Sequence, residues 1–151
     1  MALFETSVTL ECTPEEAFDF FLVPSNRPRI NPPEVGLYIV NAPDVLSMGS
    51  RLEFKVQGWG MVQQLVHEIT AFDRPTLLIE TQIKGPLKKL VHRYVFAETA
   101  EGQTLLSDCI EFEPPGGLAG LIVNEKKLLD SFEDGFYFRQ ARLQELLRKQ
   151  A

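Results

Sequence analysis

Between Val35 and Phe112 the chain is almost wholly strand-like, and helices bracket that run on both sides. Leu3 to Cys12 alternates with period two: Phe4, Thr6, Val8 and Leu10 fall on one side, and Glu5, Ser7, Thr9 and Glu11 on the other. That periodicity predicts a first strand. Thr13-Pro14-Glu15-Glu16 then opens a helix, with threonine as N-cap, proline at the first helical position and Glu16 closing a capping box. Ala17, Phe18, Phe21 and Leu22 supply its apolar stripe, and Pro24 stops it. From Ser25 to Pro33 the chain is proline-rich and polar, with at most a helical turn near Arg29 to Asn31.

Six further strands are predicted: Val35 to Val40, Arg51 to Trp59, Met61 to Phe72, Leu77 to Ile83, Lys88 to Phe96 and Gln103 to Phe112. Their connections are short, which favours antiparallel neighbours, because parallel ones need a long crossover. After Glu113-Pro114-Pro115-Gly116-Gly117 one long helix is predicted, roughly Leu118 to Arg148. Its stripe runs through Leu121, Leu128, Phe132, Phe136, Leu143 and Leu146 or Leu147. The expected class is therefore α+β. A seven-stranded curved antiparallel sheet wraps a long C-terminal helix, two short helices lie between strands 1 and 2, and residues 1–151 form a single domain. A sheet that curves around one helix leaves space between them.

Composition narrows the partners. The net charge of −6 argues against nucleic acid, which selects basic surfaces. No apolar run is long enough for stable membrane insertion, and Met1 to Glu5 lacks the basic and apolar regions of a leader, so a cytoplasmic location is expected. In that compartment Cys12 and Cys109, in separate predicted strands, read as free thiols packed in the core.

Side-chain parity gathers polar residues on one interior face. Leu90, His92, Tyr94 and Phe96 share a face of the sixth strand, and Thr104, Leu106, Asp108, Ile110 and Phe112 share one of the seventh. Closing the turn around Ala100-Glu101-Gly102 sets His92 across from Asp108 and Tyr94 across from Leu106. Leu65, His67, Ile69 and Ala71 share a face of the fourth strand, and Ile79, Thr81 and Ile83 are expected to line the same interior. The apolar walls would comprise Leu52, Phe54, Val56, Leu65, Ile69, Ile79, Leu90, Phe96, Ile110, Leu128, Phe132 and Phe136, with His67, Thr81, His92, Tyr94 and Asp108 as a polar floor.

A His92–Asp108 pair would fix the imidazole tautomer and raise its pKa, preparing a general base, with Tyr94 free to donate to a carbonyl or phenolate. The plainer reading is that these groups satisfy one another inside the sheet. Two histidines without close carboxylate spacing make no metal site, and no cofactor motif is present. Trp59 reads as packed over its hairpin, with a lid or membrane-touching anchor as the alternative, and Arg27 and Arg29 as solvated loop charges beside the opening, with attraction of an anionic head group as theirs.

The element order resembles the helix-grip superfamily, which includes START lipid-transfer domains, polyketide cyclase/dehydrase-like proteins and pathogenesis-related plant allergens. The likeness spans the chain, and the opening of the first helix, Thr13 to Phe21, looks typical of it. Gly85 to Phe96 is similar to a Gly-Pro-x-x-x-Trp-x-His-x-His-x-Phe pattern of a bacterial ligand-binding or cyclase/dehydrase-like subfamily, with Leu90 for the tryptophan and Tyr94 for the second histidine. Thr104 to Ile110 and Pro114 to Gly117 look like the same subfamily.

The expected function is binding of a small, mostly apolar molecule, such as a lipid, isoprenoid, quinone or aromatic, polyketide-like metabolite. One alternative is a cyclase or dehydratase with His92 as base and Tyr94 as acid. Another is a regulator with a residual cavity that binds a protein partner or pairs as a homodimer.

Overall fold

The computed structural model describes residues 1–58 and 60–148. Strand β1 (Ala2–Leu10) leads into helix α1 (Pro14–Leu22), and two 3-10 turns, Pro24–Ile30 and Pro33–Val35, follow. Strands β2 (Tyr38–Asn41), β3 (Arg51–Gly58), β4 (Met61–Asp73), β5 (Leu77–Lys84), β6 (Lys89–Glu98) and β7 (Thr104–Glu113) run as a meander. The sheet order is β1-β7-β6-β5-β4-β3-β2, and every pair is antiparallel. A short helix α2 (Ala119–Ile122) precedes the long helix α3 (Glu125–Leu146). The curved seven-stranded sheet, the long C-terminal helix and the short helices between β1 and β2 are those expected.

Local chemistry accounts for the element ends. Thr13 Oγ1 accepts from the Glu16 N–H at 3.2 Å, so one of the first-turn donors of α1 is satisfied. Asn124 caps α3 the same way, its Oδ1 accepting from the Lys127 N–H at 2.9 Å. That cap is why the predicted single helix is broken: α3 starts at Glu125, and Val123 and Asn124 separate it from α2. Leu121, assigned to the buried stripe, is instead 77% exposed. The second strand is shorter than expected because the 3-10 turn at Pro33–Val35 and Gly36, with φ of 57°, occupy its start.

Two apolar clusters flank the interior. One joins α1 to the sheet and the end of α3 through Leu10, Phe18, Phe21, Ile69, Leu78, Phe96, Leu106 and Leu143. The other joins the start of α3 to β1 and β7 through Ala2, Leu87, Ile110, Phe112, Val123, Leu128 and Phe136. Polar contacts tie α3 to its neighbours: Gln140 Nε2 donates to Thr6 Oγ1 at 2.9 Å, and Arg142 Nε donates to the Arg29 carbonyl at 3.1 Å.

Three details of the expected sheet are corrected. The β6–β7 register sets His92 opposite Ile110 and Tyr94 opposite Asp108, two residues from the expected pairing. A longer loop causes the shift: Glu98 pairs with Thr104, and Thr99 to Gln103 make the turn. Because the shift is even, every side chain keeps its face. In β4 an irregularity between Ile69 and Ala71 turns Ala71 outward to pair with Ile79 and brings Phe72 against Phe18.

β5 therefore presents the opposite face from that expected: Leu78 and Glu80 are buried inward, whereas Ile79 and Thr81 lie on the outer side, Thr81 Oγ1 within 2.9 Å of Thr70 Oγ1. Cys12 is buried, but Cys109 is only half-buried, because it sits on the outer face of β7 between Glu5 and Arg93.

Candidate functional site

A cavity of about 550 Å³ lies between the sheet and α3. Its lining includes Pro32, Val35, Leu37, Val56 and Gln57, and also Pro86, Leu87, Leu128 and Ser131. The α3 wall follows helical spacing: Leu128, Ser131, Phe132, Gly135, Phe136 and Arg139. Gly135 adds no bulk, and nothing lies within 4 Å of where its Cβ would stand, so the helix leaves open space at that level.

Across from α3, the inner faces of four strands carry a polar band. Register builds it: His67 pairs with Gln82, Glu80 with His92, and Tyr94 with Asp108. Cross-strand partners hold their Cβ atoms about 5 Å apart on one face, so these side chains meet directly. Two carboxylates organise the band. Glu80 accepts from Arg27 at 2.8 Å through Oε1 and from His67 Nδ1 at 2.5 Å through Oε2, and Tyr94 Oη donates to Oε1 at 3.4 Å. Asp108 accepts from His92 Nε2 at 2.7 Å and from both terminal nitrogens of Arg139 at 2.9 and 3.2 Å. The Arg139 guanidinium lies 4.5 Å from the Phe136 ring and 5.0 Å from the Phe21 ring, a cation–π geometry that favours Arg over Lys. His92 and Tyr94 stack with centroids 3.9 Å apart.

These contacts set the ionisation of the groups. Burial alone would raise the Glu80 carboxyl, yet Arg27 and then His67 hold it well below its ordinary value. Burial likewise works against Asp108, and Arg139 with His92 overcomes it, keeping the carboxyl low. His92 moves opposite to expectation: burial lowers its pKa more than Asp108 raises it, and the nearby Arg139 cation lowers it further. Its ring is therefore neutral near neutral pH, with Nε2–H given to Asp108. Burial, and then the Glu80 charge, pushes the Tyr94 hydroxyl far up.

Of the sequence-assigned residues, Val56, Leu65, His67, Leu90, His92, Tyr94, Ile110, Leu128, Phe132 and Phe136 line the cavity. Leu52, Phe54, Ile69 and Phe96 are instead buried in the core cluster around α1. Ile79 and Thr81 are carried to the far side by the β5 parity, and Asp108 stands behind His92 as its partner. Tyr94 is not free, since its hydroxyl serves Glu80. Trp59 lies outside the described residues.

Alternation in the sequence does not point to four polar residues at this band: Arg27, Glu80, Gln82 and Arg139. The Arg27 side chain is only 12% exposed, because the 3-10 turn Pro24–Ile30 tucks it under the sheet against Glu80, rather than leaving it solvated as expected. Arg139 had a local signal, a charge inside the apolar stripe between Phe136 and Leu143.

Three buried polar atoms on the cavity wall have no hydrogen-bond partner among the described residues: Arg27 Nε, His67 Nε2 and Gln82 Oε1. Buried polar groups are normally paired, so this trio stands out on the cavity wall. No group of three or more His, Cys, Asp or Glu among the described residues is placed to hold a metal ion. No described helix is long and apolar enough to cross a membrane.

Solved structures share this architecture. Protein CV1439 from Chromobacterium violaceum aligns over 99% of this chain and 100% of its own, with a TM-score of 0.76 at 14% identity. Protein Ms6760 from Mycobacterium smegmatis aligns over 99% and 92%, with 0.73 at 17%. The ginseng major latex-like protein 151 from Panax ginseng aligns over 98% of each chain, with 0.71 at 14%. Identities this low speak for the fold alone. No curated protein sequence matches the chain. The family described as polyketide cyclase / dehydrase and lipid transport matches residues 1–136, so the chain belongs to that family.

Proposed function

We propose that the chain binds one small, largely apolar molecule in the cavity between the sheet and α3, and that it holds this molecule without transforming it. The observation that carries the reading is the cavity itself. Its volume of about 550 Å³ falls in the range of small-molecule sites, and its walls are mostly apolar with a few convergent polar groups. A lipid, isoprenoid, quinone or aromatic metabolite suits such walls. The family's description covers both enzymes and lipid carriers, and the polar band favours the second.

A cyclase or dehydratase needs a base and an acid. His92 gives its Nε2 proton to Asp108, and burial beside Arg139 penalises the imidazolium that proton abstraction through Nδ1 would create. Tyr94 is a poor acid, with its pKa driven up and its hydroxyl held by Glu80.

Native mass spectrometry of gently purified protein, followed by solvent extraction, tests the reading together with titration by the neutral fluorophore N-phenyl-1-naphthylamine. One equivalent of an apolar molecule is expected to be carried or taken up, and Gly135→Leu, which places a side chain in the cavity, is expected to weaken that uptake by about tenfold or more. No uptake by the folded wild type, or uptake indifferent to Gly135→Leu, would refute the proposal.

A further inference from the structure

Resting on that reading, we infer that the guest is electrically neutral and presents a hydrogen-bond donor, of which a hydroxyl on an apolar skeleton is the simplest case, and that carboxylate-bearing amphiphiles are excluded.

The first argument is charge balance. Two guanidinium groups and two carboxylates line or back the cavity, and they are paired one to one: Arg27 with Glu80, and Arg139 with Asp108. The same two carboxylates also hold the histidines, His67 on Glu80 and His92 on Asp108. Neither arginine is left with an uncompensated charge for a buried anion, and an anionic head group would enter a low-dielectric space already holding two carboxylates.

The second argument is hydrogen-bond demand. Gln82 Nε2 donates to the Leu87 carbonyl at 2.7 Å, which leaves Oε1 as a buried acceptor without a donor. His67 is 7% exposed and turns Nδ1 to Glu80, which leaves its Nε2 as a second buried polar atom without a partner. His67 and Gln82 are cross-strand partners, so both unpaired atoms face one spot. The remaining unpaired atom, Arg27 Nε, is a donor. A hydroxyl can give its proton to Gln82 Oε1 and receive from Arg27 Nε–H. An ether can only accept, and a carboxylate would meet the lone pairs of the amide oxygen.

The test uses naphthol, its methyl ether and naphthoate, all substituted at the same ring carbon, titrated at neutral pH by fluorescence or calorimetry. One hydrogen bond gained or left unmade in a buried site corresponds to about tenfold in affinity, so naphthol should bind about tenfold tighter than either relative. In Gln82→Leu the advantage of naphthol over the ether should fall to about threefold or less, since one acceptor is gone. Glu80→Gln should shift preference toward naphthoate by freeing the Arg27 charge; Gln82→Leu carries the test should Glu80→Gln not fold.

Naphthoate binding tightest to wild type would overturn the neutral-guest assignment while leaving the pocket intact. Equal affinity for naphthol and ether would overturn the donor requirement. Failure of all three, together with the neutral fluorophore, would remove the pocket reading and this inference with it.

Discussion

Gly135 offers a test of whether the hollow under α3 is open. A glycine inside a 22-residue helix is a local cost, and its Cβ position meets no atom within 4 Å. Gly135→Ala should therefore stabilise the unliganded protein by about 1 kcal/mol through helix propensity alone. For a chain of this size that is about 2–4 °C in Tm. Gly135→Leu should add to that the burial of an aliphatic side chain, worth about 1.5–3 kcal/mol. Lost rotamer freedom takes back about 0.5–1 kcal/mol. The expected net gain is about 1.5–3.5 kcal/mol, with affinity for a cavity-filling ligand falling by about tenfold or more. Thermal melts by circular dichroism, paired with probe titration, read both effects. Opposite movement of Tm and affinity is the signature of filled empty space. If both substitutions lower Tm, the helix packs directly on its neighbours at Gly135, and the reasoning fails.

Other outcomes follow from the buried charges and thiols. Arg139→Met removes one partner from Asp108 and should cost about 3–5 kcal/mol, read by urea unfolding. The double variant Arg139→Met/Asp108→Leu should recover part of that loss. Stability should also decline in acid in two stages. His92 is held below its ordinary 6.5, so the unfolded chain takes up that proton first and stability starts to fall below about pH 6.5. Glu80 and Asp108 are held below 4.5 and 3.8, so their contribution, full at neutral pH, is lost as acid carries the solution through those values and lower. Tm measured from pH 8 to 3 checks this, and His92→Gln should flatten the first stage only. Burial, then the Glu16 charge, lifts the Cys12 thiol to about 11, so a thiol reagent at pH 8 should modify Cys109 first and reach Cys12 only on unfolding.

The strands were legible where burial and polarity agree. On β1, β3, β6 and β7 the inward positions are mainly apolar or aromatic, and alternation alone assigns them. On β5 the rule inverts: the inner face carries Leu78, Glu80 and Gln82, while Leu77, Ile79, Thr81 and Ile83 face outward. A hydrophobicity count reads that strand backwards because its interior neighbours are Arg27 and His67, which stabilise a carboxylate more than a methyl group. Arg27 and Glu80 are 53 positions apart, and Asp108 and Arg139 are 31 apart. No local window shows such pairs, and only the completed sheet brings them together. The β4 irregularity that flips Ala71 has no signature in composition. Register offered one route: with His92 inward, its neighbour across the β5–β6 ladder had to be inward too, and that neighbour is Glu80.

The Arg139–Asp108 pair acts as a rivet through the middle of the strap. Sliding α3 by a single turn would carry the guanidinium about 5.4 Å along its axis and abandon two charges in a dry interior, at a cost of several kcal/mol. A strap held only by grease could creep and let its hollow stretch around bulkier guests. This one is pinned against β7 at mid-length by Arg139 on Asp108, so the chamber keeps a set length, and under the proposed function that length limits the reach of a guest.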